Sequence, residues 1–136
     1  MDTHFDMTDA KFENQFQNCT LNPQLFSHEA HLRLAWIHIK KYGVTIAEQN
    51  IQNQLQDFVK HVGATDKYHT TLTIAAIRMV NHYIQQSKAK DFQEFIKEFP
   101  ELNNSFKALI NSHYSYDIFS SEEAKSVFLE PDKVPF

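Results

Sequence analysis

The sequence predicts an all-α fold, a single-domain antiparallel helical bundle of about four longer helices with short flanking helices. Three observations carry this expectation. Apolar residues recur at three- and four-residue spacing through four long stretches, the period of helices that bury one face. Helix-starting Ser, Thr or Asp residues precede three of these stretches, and glycines follow two of them. Two glycines and four prolines in 136 residues are too few for the tight turns of an all-β fold. The length suits one domain spanning 1–136, and twelve Phe, five Tyr and one Trp supply bulky core material.

Residues 1–7, including His4, read as a loose N-terminus. The stretch FDMTDAKFENQFQNCT then reads as a short helix that Thr8 or Asp9 caps, with Phe12 and Phe16 one turn apart. Pro23 breaks the pattern. Ser27 caps the main helix, 28–42, with Glu29 in its first turn, Lys40 and Lys41 in its last, and Gly43 just beyond. Leu32, Ala35, Trp36, Ile39 and Tyr42 form its apolar face, while a narrow strip with Glu29, Arg33 and Lys40 faces water. His28 falls near the middle of the apolar face, and His31 and His38 fall on its flank.

Thr45 and Glu48 form a capping box for the next helix, 46–62, which carries Ala47, Ile51, Leu55 and Phe58 and ends at Gly63. A third long helix, 67–87, has Leu72, Ala75, Met79, Val80 and Tyr83 on its apolar arc, with His69 inside that arc. Threonine is a mediocre helix former, so the HTTLT start implies that its hydroxyls are used as caps or in a pocket. A second capping box, Asp91 with Glu94, opens a Phe-rich helix that Pro100 breaks or kinks before the pattern resumes through Leu102, Phe106 and Ile110. A last short helix starts near Ser121. Residues 130–136 form an extended tail whose Val134 and Phe136 dock on the body.

Alternating helix directions set 28–42 parallel to 67–87, so their first turns share one end of the bundle. That places His28, His31 and His69 together as metal ligands of a metal-binding protein or a metal-dependent enzyme, in which Glu29 or Tyr68 would assist proton transfer, with Glu29, Tyr68, Thr71, His113 and Tyr114 lining the pocket. Burial and a helix N-terminus both keep imidazole neutral, the form that binds Zn, Fe, Ni or Cu. Two His at i and i+3 stack on one helix face and can share an ion. HEAH is one residue short of H-E-x-x-H, so a zinc-protease reading does not transfer. The competing reading is a metal-free module, either binding a small molecule or serving as an interaction domain, with structural histidines hydrogen-bonded to Thr70, Thr71, Tyr68 or backbone carbonyls. His38, His61 and His82 read as flank histidines in solvent or in local hydrogen bonds. Cys19 reads as a packed small residue.

The net charge of −4 without a basic cluster argues against nucleic-acid or anionic-membrane partners. No stretch reads as a signal peptide or membrane span, so a cytoplasmic protein is expected, and a homo-oligomer is compatible with the sequence. FSHEAHLRLAWIHIKKYG, KYHTTLT and FLEPDKVPF together resemble a family of small bacterial helical proteins with His-Glu-Ala-His-Leu and Tyr-His-x-Thr-Leu-Thr motifs. The resemblance runs from about residue 12 to the C-terminus. It implies a site at His28, Glu29, His31, Tyr68, His69, Thr71 and Thr73, and no particular activity.

Overall fold

The computed structural model describes residues 3–136. The fold is all-α, a helical bundle without a strand among the described residues. Its helices are α1 (Asp9–Gln17), α2 (His28–Tyr42), α3 (Val44–His61), α4 (Thr70–Gln85), α5 (Phe92–Glu98), α6 (Glu101–Asn104), α7 (Phe106–Asn111) and α8 (Glu122–Ser126). Single 3-10 turns stand at His4–Asp6, Pro23–Leu25, Thr65–Lys67 and Ile118–Ser120. The chain divides into two compact units, Met1–Tyr68 and His69–Phe136.

In the first unit α2 and α3 pack along each other as a helical hairpin, and α1 packs on both. Phe12 and Phe16 of α1, Leu32 and Leu34 of α2, and Leu55 and Phe58 of α3 are buried. Thr8 caps α1 by accepting the Lys11 N–H, and Ser27 caps α2 by accepting the Ala30 N–H. The Thr45–Glu48 capping box does not form. Gly43, at φ +86°, ends α2 and starts α3 at once, which leaves Thr45 inside the second helix.

The N-terminus is not loose over its described residues. Thr3 and Asp6 close a capping box around the first 3-10 turn, and His4 and Met7 are buried; residues 1–2 lie outside the described residues. Arg33, expected to face water, is also buried. Its guanidinium donates to the His4 carbonyl at 2.6 Å, the Met7 carbonyl at 2.9 Å and Asp9 Oδ1 at 2.8 Å, and it lies over the Phe12 ring at 5.1 Å. The N-terminal segment thus covers Arg33, in the strip of α2 that a lone helix would show to solvent, while Lys40 of that strip stays exposed. Residues 32–39 of α2 are buried without a break.

In the second unit α4 packs against α7, α8 and the 118–120 turn around Ile77, Val80, Ile110, Ile118 and Ala124. α4 begins at Thr70, three residues later than the spacing suggests, because 65–67 form a separate 3-10 turn. Asp91 caps α5 by accepting the Glu94 N–H, while Glu94 reaches back to the Lys90 N–H rather than to its own cap. The pattern after Pro100 resolves into two short helices, α6 and α7. The tail docks through the Lys133 N–H on the His113 carbonyl and through Phe136, whose ring stacks on His113 at 4.2 Å.

Candidate functional site

The start of α2 is built by Ser27, whose cap fixes the first turn and sets His28 and His31 on one face. His28 is exposed. Solvent reaches part of the His31 ring, yet protein crowds the rest of it. One ring face stacks on Phe26 at 3.8 Å between centroids, and Phe26 in turn packs on Phe16 and Phe58. This enclosure, with the neighbouring His28 adding to it, pushes the His31 pKa down to about 4. Neither nitrogen of His31 is hydrogen-bonded among the described residues. It is therefore a neutral imidazole whose lone pair is not spent on the protein.

Glu29 reaches the N-terminal segment. Its Oε1 accepts from Nε2–H of buried His4 at 2.9 Å. The other nitrogen of His4, Nδ1, faces Arg33 at 3.3 Å and accepts from it, which fixes the Nε2–H tautomer. Burial, the largest cause, lowers the His4 pKa, and the Arg33 charge adds to this against the opposing pull of Glu29. Glu29, His4, Arg33 and Asp9 thus form one polar chain that ties the N-terminal segment to α2.

The motif around His69 is occupied by the architecture of the second unit. His69 is the N-cap of α4: its Nδ1 accepts the Leu72 N–H at 3.0 Å, and its Nε2–H donates to the Ile118 carbonyl at 2.9 Å. A metal at this ring has to displace one of those bonds. Thr71, fully buried, donates to the Val127 carbonyl at 2.7 Å and accepts the Leu129 N–H at 3.0 Å, much as a paired strand would. Thr73 donates to the His69 carbonyl at 2.7 Å. The Thr71 hydroxyl therefore fastens residues 127–129 onto α4, while that of Thr73 is spent within the first turn of the helix.

His113 Nδ1–H donates to the Val134 carbonyl at 2.7 Å, and Tyr114 donates to the Leu129 carbonyl at 2.8 Å. Burial pushes the Tyr114 pKa up to about 12. Ser115 binds the Asp132 carboxylate through both its N–H and its hydroxyl. Tyr68 belongs to the first unit; its phenol oxygen is buried with no hydrogen-bond partner among the described residues. Among the described residues no group of three or more His, Cys, Asp or Glu side chains is placed to hold a metal ion.

One polar cluster escapes sequence reasoning. Glu13 of α1 is buried and accepts from Tyr42 Oη at 2.6 Å and from Lys41 Nζ at 3.0 Å. Burial alone would raise its pKa, but these two partners together win and hold it below the ordinary value. The available signal was weak: Glu13 directly follows Phe12 within the apolar stripe of α1, and Tyr42 closes the apolar face of α2. His38, expected in solvent or in a local bond, is instead fully buried with neither ring nitrogen hydrogen-bonded among the described residues. His82, by contrast, is exposed and bonded to Gln86 at 2.9 Å.

Among the described residues no helix is long and apolar enough to cross a membrane. Compared with family models, with curated proteins and with solved structures, the chain matches none.

Proposed function

We propose that this chain is a ligand-binding helical protein whose recognition group is the His28–His31 pair at the start of α2, and that its ligand is a divalent transition metal ion. The observation that supports this most is His31, an exposed residue whose crowded imidazole is kept neutral down to about pH 4, with no hydrogen bond on either nitrogen among the described residues. Neutral imidazole is the metal-binding form, and Zn, Fe, Ni and Cu are the ions that it suits. Two protein ligands leave coordination positions for water or a small substrate, the arrangement from which metal-dependent chemistry starts. The proposal leaves out His69, because both of its ring nitrogens are engaged within its own unit.

Titration of tag-free protein with Zn, Ni, Cu and Fe(II) by calorimetry tests this reading. One saturable site is expected, weakened at least ~10-fold by His31→Ala, a loss that even outer-sphere partners of metals produce. No saturable binding of any of the four ions, or an affinity that survives both His28→Ala and His31→Ala, overturns it.

A second reading rests on the Phe26–His31 stack. That stack continues through Phe16 and Phe58 into the core and makes His31 the outer ring of an aromatic column. Such a platform suits a planar small molecule without metal. Metal-free protein that shifts its His31 ring signals with a planar aromatic ligand, while binding none of the four ions, favours this alternative.

A further inference from the structure

Among the described residues of the first unit, His38 is the titratable side chain with the least exposed surface. None of its surface reaches solvent, and neither ring nitrogen has a hydrogen-bond partner among the described residues. It lies in the part of α2 where α1 is fastened. Glu13, from the middle of α1, is gripped there by Tyr42 Oη and Lys41 Nζ from the last turn of α2. The His38 ring lies 5.4 Å from that of Tyr42. The charges that act on it are Glu13 from α1 and Lys41 on its own helix. The buried positions of α3 are Ala47, Ile51, Leu55 and Phe58, none of them titratable.

A charged imidazole needs water or a counter-ion. Within the unit the carboxylate acting on His38 is Glu13, whose oxygens are oriented by Tyr42 and Lys41, one each, and no hydrogen bond joins it to His38 among the described residues. A proton on this fully buried, unbonded ring therefore favours one of two changes: Glu13 shifts from its grip to meet the imidazolium, or the ring swings out to water. Each change separates α1 from the end of α2. The long seam between α2 and α3 is apolar on the α3 side and carries no such dependence.

We propose that His38 is an acid-sensitive latch: its neutral ring closes the α1–α2 contact, and protonation in mildly acidic solution releases α1 while α2 and α3 stay paired. The direction in which burial moves the ring agrees with this, since it holds the His38 pKa below the ordinary 6.5 against the partial offset of Glu13. The latch is independent of whether His28 and His31 bind a metal, because no step of it involves them.

Amide hydrogen exchange on the full chain, followed from pH 7.5 to 4.5 and corrected for intrinsic exchange, tests the latch. Below pH 6.5, opening that is linked to one proton rises by up to about tenfold per pH unit. The expected result is that residues 9–17 lose protection on this slope while residues 44–61 keep theirs, and that His38→Leu removes the slope. The idea is overturned if α1 and α3 lose protection together, or if the slope disappears with His4→Gln or His31→Gln and not with His38→Leu. Should His38→Leu fail to fold, the ring signals of His38 in the unaltered protein decide. They must titrate in step with the loss of α1 protection; titration at the ordinary histidine value with α1 still protected refutes the latch.

Discussion

A residue's charge state is set by its neighbours, and His31 depends on this more than any other side chain of the candidate site. Its identity gives a pKa of 6.5, whereas enclosure against Phe26 and the nearby His28 brings it to about 4. Proton NMR of the metal-free protein should find the His31 ring titrating near 4, and His28→Ala should move it upward by removing a like charge. A midpoint at the ordinary value, unmoved by His28→Ala, refutes the account of the site. The sign for folding follows from the same shift. Because the folded pKa lies below the unfolded one, the stabilisation from His31 is complete above about pH 6.5 and is lost as the pH falls towards 4. That His28 and His31 lie one turn apart on α2 was legible, since i and i+3 spacing is local, but His28, placed by periodicity near the middle of the apolar face, is exposed. It had no means of pairing Thr71 with Val127 and Leu129, because the partners lie 56 and 58 positions away. The costly threonines were legible as spent hydroxyls; the object they hold was not.

At the scale of the element, α2 carries the clearest lesson. Helical periodicity tells which way a side chain points, but it is silent on what arrives to meet it. Arg33 points where a helical wheel puts solvent, and the chain from His4 to Asp9 has come to cover it. The guanidinium can serve two backbone carbonyls and a carboxylate at once because its donors form a planar fork. Arg33→Met should therefore cost the fold about 3 kcal/mol, the low end for breaking a buried pair, since Asp9 is about half exposed. Chemical denaturation measures the loss. Arg33→Lys should recover little of it, because one ammonium cannot span the same acceptors. A midpoint within error of the unaltered protein in either variant means that the N-terminal segment is held by something else. Boundary errors have a similar origin. Thr45 and Glu48 satisfy a capping rule that the tertiary turn at Gly43 overrides, while Ser27, Thr8 and Asp91 cap as their sequences indicate because nothing nearby competes.

At the scale of the whole molecule, apolar periodicity revealed the all-α class and the long helices, but it does not reveal how helices group, and the chain divides at Tyr68 and His69 into two compact units. The two differ in which groups the fold holds away from their ordinary protonation. In the first, burial lowers His4, His31 and His38, and Tyr42 with Lys41 lowers Glu13. In the second, hydrogen bonds from Ser115 lower Asp132, and burial raises Tyr114 to about 12. Each depressed histidine removes stability as the pH falls from about 6.5, and each depressed carboxylate does so only below its own ordinary value, 4.5 for Glu13 and 3.8 for Asp132. Tyr114 acts at the other end: its contribution is present below pH 10 and is lost as the pH rises towards 12. Stability should thus hold a plateau from about pH 7 to 10. Its first acid decline should appear in residues 3–68, where these three histidines lie, and the Tyr114 part of its alkaline decline in residues 69–136, with the exposed Lys41, also raised, adding to the alkaline loss in the first unit. Hydrogen exchange across that range locates both. Protection lost first from residues 69–136 on moving from pH 7 to 5 contradicts this division, which rests on the depressed His4, His31 and His38 of the first unit.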